Sequence, residues 1–309
     1  MREREVISRF FNFPAASVDA GIGDDAAVLS PPPGARLAAS CDTLNEGTHF
    51  FSGTDAYFVA RKAAAASLSD MAATGARPLW MLVALTAPSG TAWLARFAEG
   101  LKSSAAEYEY AIVGGDLCRG DAISITVSVV GAVDGAPLLR GGARAGDDVW
   151  ISGATGCAAF AAHCRKNNIA PPPQYAAEIN AKLDDPVPRL ALAQKLAGTA
   201  SAAVDISDGL AAAAAAVAAQ SKVKIIIQQS GVPVPPALSH LPEKLQNEFV
   251  LGGGDDYELL FCAPPSARPF LAAENAVCIG AACCGAGAEI TGEDGAPVFV
   301  RGYEHDFGE

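Results

Sequence analysis

The sequence predicts an α/β or α+β protein of two domains. Apolar runs typical of strands alternate with alanine-rich stretches of helical character in both halves of the 309-residue chain. Glycine-rich acidic turns adjoin several of the apolar runs. Turn-forming residues accumulate over 135–147, which indicates a linker. We therefore expect an N-terminal domain over 1–138 and a C-terminal α/β domain over 139–309.

The N-terminal half is predicted to contain a sheet with two long helices. A proline-rich turn at 31–34 separates two short strands. The first long helix is expected to end at Gly75, because Pro78 follows shortly after. The expected elements, in chain order, are a helix at 5–12, strands at 25–29 and 36–41, a helix at 55–75, a strand at 80–86, a helix at 92–108, and strands at 111–113 and 122–133.

The C-terminal half is predicted to alternate strands with alanine-rich helices. It opens with a strand at 148–152 and a glycine turn at 153–156. The segment 167–173 is expected to be an exposed loop. The remaining expected elements are a helix at 208–220 and strands at 223–228, 257–262 and 276–281.

The charge balance restricts the classes of partner. The chain has 22 basic and 34 acidic residues, a net charge of −12, which argues against nucleic acid or an anionic membrane as the main partner. The charged N-terminus lacks the apolar core of a signal peptide, and no apolar run is long enough for a membrane span, so a soluble cytoplasmic protein is expected. The eight cysteines form no Cys-x-x-Cys pair, so we expect reduced, mostly structural thiols.

The aspartates carry the clearest chemical signal. Asp24 and Asp25, Asp116, the pair Asp205 and Asp208, and the pair at 255–256 all stand beside glycines or at the ends of apolar runs. Carboxylates in such places are costly unless a cation joins them. Mg²⁺ prefers carboxylate oxygens and completes its shell with water and phosphate. Clustered aspartates on glycine-rich turns therefore predict metal-dependent phosphoryl transfer.

Other interpretations remain open for each motif alone. Asp-Gly pairs are ordinary turn chemistry. His49 could be a structural histidine, Arg140 a solvated loop residue and Tyr303 a packing residue. The glycines at 21–23 fail as a dinucleotide fingerprint, because an acidic, strand-like segment follows them. The sequence also lacks a Walker-A motif and the His-Arg-Asp and Asp-Phe-Gly motifs of protein kinases.

Taken in order, the motifs resemble those of the thiamine-monophosphate kinase family, over essentially the whole chain. The matching segments are Gly21-Ile22-Gly23-Asp24-Asp25-Ala26-Ala27, Asp42-Thr43-Leu44 with Glu46-Gly47 and His49-Phe50, Ser69-Asp70-Met71-Ala72-Ala73, Gly114-Gly115-Asp116, Asp205-Ile206-Ser207-Asp208-Gly209-Leu210 and Gly254-Asp255-Asp256-Tyr257-Glu258-Leu259.

The resemblance implies the reaction ATP + thiamine monophosphate → ADP + thiamine diphosphate, without a protein nucleophile. It also implies the two-domain fold of aminoimidazole-ribonucleotide synthetase, in which an N-terminal mixed sheet forms a barrel across a homodimer. The domain over 1–138 would then bind ATP and Mg²⁺ and form the dimer. By motif position, Mg²⁺ would bind at Asp25, Ser40, Cys41, Asp42, Asp70, Asp116, Asp205 and Asp208, with Asp42 and Asp208 essential. ATP would contact Gly115, Asp116, Arg140 and Ser207. Thiamine monophosphate would contact His49, Asp255 and Tyr303.

Three departures from the family pattern affect these assignments. Cys41 stands where the family usually has Thr: if this position lends its carbonyl oxygen to Mg²⁺ the change is harmless, and if it lends a hydroxyl one ligand is lost. Asp255 replaces the usual Glu and shortens the reach to substrate by one methylene. Leu117-Cys118 replaces the usual Thr-Thr after Gly-Gly-Asp.

Two other functions are compatible with parts of the sequence. One is another ATP-dependent enzyme of the same superfold, such as aminoimidazole-ribonucleotide or selenophosphate synthetase. The motifs at 42–50 and 205–210 disfavour it, as does the absence of a reactive Cys or Lys in a glycine-rich N-terminal tail. The other is a module that binds nucleotide or metal without turnover.

Overall fold

A computed structural model of the chain describes residues 2–13, 18–88 and 90–306. The chain divides into two compact units. The N-terminal unit comprises Met1–Met71 and Ala76–Asp134, and the C-terminal unit comprises Ala72–Gly75 and Gly135–Glu309. The division falls at the start of the segment 135–147, where the sequence predicts a linker.

The N-terminal unit is built on a four-stranded mixed sheet in the order β3-β6-β4-β5. Neighbouring strands are antiparallel except β4 and β5, which are parallel. The elements are α1 (Glu3–Val6), a π-helix (Ile7–Phe11), β1 (Val18–Ala20), β2 (Val28–Leu29), β3 (Arg36–Asn45), α2 (Ala56–Thr74), β4 (Arg77–Ala87), α3 (Thr91–Glu107), β5 (Ala111–Arg119) and β6 (Ser124–Val133).

One face of this sheet is buried and the other is largely exposed. On β6, Ile125, Val127 and Val129 are fully buried, while the residues between them are only partly covered. This alternation is that of a strand with one face in the core. On the opposite face, Leu82 of β4 lies in register with Ser128 of β6 and is 42% exposed.

Helix α2 is buried almost all round, as its alanine-rich sequence requires. A Cβ added to Gly100 of α3 would lie 2.2 Å from the carbonyl oxygen of Tyr57 in α2. Only glycine permits this approach, so the two helices cross in close contact.

The C-terminal unit contains a six-stranded sheet in the order β12-β9-β11-β7-β10-β8, antiparallel except between β12 and β9. Strands β8 and β10 are buried along their whole length. The elements are β7 (Asp148–Ile151), α4 (Cys157–Lys166), α5 (Ala176–Asp184), α6 (Leu190–Leu196), β8 (Ala202–Ile206), α7 (Leu210–Ser221), β9 (Lys224–Gln228), 3-10 helices at Gln229–Gly231 and Pro236–Leu238, α8 (Glu243–Val250), β10 (Glu258–Ala263), a 3-10 helix at Pro265–Ala267, α9 (Arg268–Ala273), β11 (Val277–Cys283) and β12 (Gly287–Thr291).

Most predicted elements are present, with two substantial differences. The strand expected at 25–29 is only the two-residue β2. The strand expected at 111–113 continues to Arg119, so the Gly-Gly-Asp motif lies within β5 and not in a turn. Continuation is possible because Gly115, at φ 153°, passes so close to β4 that a Cβ would lie 1.9 Å from the Val83 carbonyl oxygen.

The prediction that the aspartates lie on glycine-rich turns is therefore wrong for three of them: Asp42 lies in β3, Asp70 in α2 and Asp116 in β5. Asp205 lies near the end of the apolar strand β8, as predicted. Within these elements Asp42 accepts a hydrogen bond from Ser67, Asp70 accepts one from Ser40, and Asp116 is exposed to solvent. Among the described residues, no helix is both long enough and apolar enough to span a membrane.

Candidate active site

In the N-terminal unit, Asp42 and Asp70 occupy the contact between β3 and α2. Ser67 on α2 donates a hydrogen bond of 2.8 Å from Oγ to Asp42 Oδ2. Ser40 on β3 donates a short hydrogen bond to Asp70 Oδ2. Because side chains alternate along a strand, Ser40 and Asp42 share the face of β3 that contacts α2. The structure thus brings together three of the predicted metal ligands.

The Asp42–Asp70 pair suits a cation. Burial raises the pKa of Asp42, the hydrogen bond from Ser67 lowers it, and the charge of Asp70 raises it again, with a net increase. Two carboxylates that repel each other in a partly buried place are stabilised when a divalent cation binds both. Their oxygen chemistry is the kind that Mg²⁺ prefers.

The other predicted ligands of this unit are less closely grouped. Asp25 is exposed in the loop before β2, and Asp116 is exposed on β5, with the Cys118 Sγ 3.1 Å from its Oδ2. Cys41 is on the opposite face of β3 from Asp42, and its Sγ lies 3.2 Å from the Ser128 Oγ. Within the described ranges, no three His, Cys, Asp or Glu side chains are grouped closely enough to hold a metal ion.

His49 is held by its own loop. The backbone N–H of Asn45 donates to its Nδ1 at 3.0 Å, which leaves Nε2 as the protonated nitrogen of the neutral ring. The Lys62 Nζ, 2% exposed, donates to the His49 carbonyl oxygen at 2.8 Å. The buried lysine and the ring bond together fix the conformation of the loop after β3.

Next to this loop the N-terminal unit has a cleft of about 440 Å³, called here the β3 cleft. Acidic, aromatic and basic side chains line it. Those that bear on the chemistry are Glu46, Phe50, Phe51, Asp55, Trp93 and Arg96.

In the C-terminal unit, two predicted motifs meet at the ends of β8 and β10. The Asp255 N–H donates to the Ser207 carbonyl oxygen at 2.8 Å, and the Tyr257 N–H donates to that of Ile206 at 3.0 Å. A Cβ on Gly254 would lie 2.3 Å from the Ser207 oxygen, so this position must be glycine. The predicted nucleotide residue Ser207 and the predicted substrate residue Asp255 are therefore joined by backbone contacts.

The C-terminal segment completes this group. The Tyr303 N–H donates to the Asp208 carbonyl oxygen at 2.9 Å. Burial raises the pKa of the partly accessible Asp208 carboxyl; His305 lowers it, Asp255 raises it and Arg140 lowers it, with a net increase. The structure therefore brings together the predicted metal, nucleotide and substrate residues of this unit, and Arg140 lies near enough to affect the charge of Asp208. Asp205 is buried in the adjoining strand.

The segment between Gly254 and Glu258 has an unusual backbone. Asp255 and Tyr257 have φ values of 68° and 52°, a region that non-glycine residues adopt rarely. The Tyr257 hydroxyl lies 3.1 Å from Asp255 Oδ1 and donates to it. Strain of this kind persists where surrounding contacts enforce it and is common at functional sites. Tyr257 is a supporting residue that sequence reasoning did not single out, although it stands inside the quoted motif.

Two buried acids anchor that segment. The Gly156 N–H, at the start of α4, donates to Asp256 Oδ2 at 2.7 Å, and burial raises the pKa of Asp256 to about 8. Burial also raises the pKa of Glu258, but hydrogen bonds and charges from Arg189, with contributions from Lys182 and Ser152, lower it overall. Glu258 is paired with basic side chains and Asp256 is held by a backbone N–H, whereas Asp42 and Asp208 each have another aspartate among their charged neighbours.

Comparison with known proteins identifies the family to which this chain, with its two units and their carboxylates, belongs. Residues 23–133 match the family described as AIR synthase related protein, N-terminal domain. The thiamine-monophosphate kinase of Escherichia coli (strain K12) is 35% identical over 318 residues, covering 98% of each chain. The chain belongs to the thiamine-monophosphate kinase family.

Solved structures agree with this membership. The thiamine-monophosphate kinase from Stenotrophomonas maltophilia K279a is 35% identical, with a TM-score of 0.85 and 96% of each chain covered. AaThiL complexed with AMPPCP and TMP is 30% identical, with a TM-score of 0.80, covering 90% of this chain and 89% of that one. The predicted AIR-synthetase-like fold is confirmed.

Proposed function

We propose that this chain transfers the γ-phosphoryl group of ATP to thiamine monophosphate and so forms thiamine diphosphate in the cytoplasm. The observation that carries the proposal is near-full-length similarity to the Escherichia coli kinase, at 35% identity. The relative complexed with AMPPCP, an ATP analogue, and TMP supports both substrates. In the C-terminal unit, the contacts among Ser207, Asp208, Asp255 and Tyr303 supply a local arrangement suited to this chemistry.

We further propose that the aspartates bind Mg²⁺. In the N-terminal unit the ligands are Asp25, Asp42, Asp70 and Asp116, assisted by the Ser40 hydroxyl and the Cys41 carbonyl. In the C-terminal unit they are Asp205 and Asp208. Bound Mg²⁺ neutralises phosphate charge during transfer. The fit rests on the repulsion between Asp42 and Asp70, which a divalent cation relieves.

The remaining assigned residues position the reactants. Gly115, Asp116, Arg140 and Ser207 are proposed to contact ATP, while His49, Asp255 and Tyr303 contact thiamine monophosphate. The backbone bonds at Ser207 and Asp208 hold the residues of the C-terminal unit in place before substrate arrives. Direct in-line transfer then needs no protein nucleophile, because orientation and charge neutralisation lower the barrier.

The exposed face of the N-terminal sheet supports a homodimer. Leu82, Cys41 and Ala84 are all exposed on this face, on strands joined in register through β6. Apolar side chains exposed on a sheet face, such as Leu82 at 42% exposure, are unfavourable in water, and a second copy can cover them. We propose that two N-terminal sheets pair through this face.

An acceptor profile tests the proposed activity. Purified protein with ATP and Mg²⁺ is offered thiamine monophosphate, thiamine, AMP or a ribonucleotide amidine in separate reactions, and ADP release is measured. We expect release above background only with thiamine monophosphate. Release with a ribonucleotide substrate instead would indicate a synthetase of the same superfold, and no release with any acceptor would contradict the proposal.

A further inference from the structure

Lys62 is a buried cation that the proposed reaction does not yet use. It lies in the first half of α2 and is 2% exposed. Lysine is almost never fully buried unless its charge is paired or hydrogen-bonded, because moving an ammonium group out of water is costly. One acceptor is the His49 carbonyl oxygen, 2.8 Å from Lys62 Nζ, and the charge on the donor strengthens this bond. The chain therefore places a costly group against the loop that carries the proposed substrate residue.

The loop that Lys62 contacts, over 45–50, is closed by its own hydrogen bonds. The N–H groups of Thr48 and His49 donate to the Asn45 carbonyl oxygen at 3.2 and 2.9 Å. The Asn45 N–H donates in turn to His49 Nδ1 at 3.0 Å. Because the backbone and the ring of His49 belong to one set of bonds, a shift of its carbonyl group would also move the ring. The bond from Lys62 to this carbonyl therefore fixes the direction in which the imidazole points.

The same helix also contacts the carboxylates proposed to bind metal. Further along α2, Ser67 donates to Asp42, and Asp70 is itself a residue of the helix. The eight residues from Lys62 to Asp70 span about 12 Å of helix. Since a helix keeps its length, the bond from Lys62 holds the His49 loop at a set distance from the Asp42–Asp70 pair. Phosphoryl transfer depends on such fixed geometry between the acceptor and the metal-bound phosphate.

We propose that Lys62 is a positioning residue for the phosphoryl transfer. Its ammonium group holds the His49 loop against α2 and so sets the place of His49 relative to the metal-binding carboxylates. Lys62 acts through His49 and does not itself touch the substrate. The inference rests on the proposed function, because it takes His49 as a substrate contact and Asp42 and Asp70 as metal ligands.

A double-mutant cycle of K62M, H49A and the double variant tests whether Lys62 acts through His49. Methionine replaces the ammonium group with an apolar end and removes the bond to the loop. We expect kcat/KM for thiamine monophosphate to fall about tenfold in K62M, equivalent to about 1.4 kcal/mol, and KM for ATP to stay unchanged. In the H49A background K62M should change kcat/KM by less than about twofold, because the residue through which Lys62 acts is gone.

The matched control is R61M, which removes the neighbouring buried cation of α2. Arg61 is 7% exposed, and it pairs with Glu107 of α3 at 2.8 Å and donates to Ser103 of α3 at 3.2 Å. R61M should therefore lower the melting temperature but keep kcat/KM for thiamine monophosphate at the wild-type value. A fall in R61M equal to that in K62M would show that any weakening of α2 has this effect, and would overturn the positioning role.

Hydrogen exchange of the loop gives a readout that needs no turnover. The N–H groups of Gly47, Thr48 and His49 all bond within the loop, so they should be protected in wild type and R61M and exchange at least about tenfold faster in K62M. Unprotected amides in wild type would overturn the inference even if K62M did not fold.

The two readouts separate the inference from the proposed function. Protection that is lost in K62M, in a protein whose wild type forms no thiamine diphosphate, would support the hold of Lys62 on the loop and contradict the proposed function. Unchanged protection in K62M, or losses of kcat/KM that multiply in the double variant, would overturn the role of Lys62 and leave the proposed function standing.

Discussion

At the residue scale, the acids of this chain fall into two groups that the structure separates by their partners. Glu258 is 1% exposed and is paired with Arg189 and Lys182, as a buried charge requires. Asp42 has a serine hydroxyl and a neighbouring carboxylate instead, so its pKa rises. The first arrangement stabilises the fold, whereas the second costs stability and is explained by a bound cation.

We predict that D42N and D208N lose activity but not stability. Both carboxyls have raised pKa values, chiefly through burial. A carboxyl group whose pKa is raised by folding destabilises the folded state when it ionises near neutral pH. Replacing the carboxyl with an uncharged amide should therefore leave the melting temperature of the metal-free protein equal or higher. Turnover should fall by roughly 10²-fold or more.

The control for these variants is D134N, which changes an exposed aspartate outside the proposed site. Steady-state kinetics and thermal unfolding without metal are measured for all three. Wild-type turnover in D42N or D208N would refute the assigned role, and a sharp drop in melting temperature would favour a structural one.

At the element scale, glycine decides how closely β5 approaches β4. We predict that G115A destabilises the N-terminal unit, because its Cβ would overlap the Val83 carbonyl oxygen. The loss in unfolding free energy should be about 3 kcal/mol, from overpacking added to the unfavourable φ. G34A is the matched control: its φ is also positive, at 75°, but no atom lies within 4 Å of the added Cβ. Equal losses of unfolding free energy in G115A and G34A, measured by urea denaturation, would show that β5 can move away from β4.

The stability of the contact between α4 and the Asp255 segment should depend on pH, because Asp256 titrates. The pKa of Asp256 is raised from 3.8 to about 8 on folding, so between these values the folded chain binds more protons than the unfolded chain. Its contribution therefore makes stability fall as pH rises from about 4 to about 8. Glu258, with its pKa lowered, contributes a constant amount above its unfolded pKa near 4.5.

D256N should remove this dependence, because an amide oxygen can still accept from Gly156 but does not titrate. We expect wild type to lose about 1 kcal/mol or more relative to D256N between about pH 5 and about pH 8. Urea denaturation at the two pH values measures it. If the unfolding free energies of wild type and D256N changed equally between the two pH values, Asp256 would ionise in the folded state as it does in the unfolded chain.

At the scale of the whole molecule, the exposed sheet face should set the oligomeric state. We predict that wild type is a dimer of the 31.4 kDa chain by light scattering, and that L82E is a monomer. A charge on this face would have to be desolvated on pairing, which is costly. V187E, which alters another exposed apolar residue at 46% exposure, should remain dimeric. A monomeric wild type would exclude the proposed pairing.

Much of the molecule could be predicted from its sequence, and what could not has identifiable causes. The strands and helices follow from apolar periodicity, and the ordered motifs indicated the family. The continuation of β5 through Gly114 and Gly115 was missed, because adjacent glycines usually indicate a turn and only the close approach to β4 reveals their role. The β3 cleft was missed because Glu46 and Trp93 are far apart in sequence, and only the folded chain brings both to the lining of one cleft.

The most direct test of the central claim is ³¹P NMR of a single reaction containing the protein, ATP, Mg²⁺ and thiamine monophosphate. The account predicts that the ATP γ-phosphate and thiamine monophosphate signals decline together, while ADP and thiamine diphosphate appear in equal amounts. A parallel sample with excess chelator should show no change. ATP hydrolysis to ADP and free phosphate, with thiamine monophosphate untouched, would contradict the account.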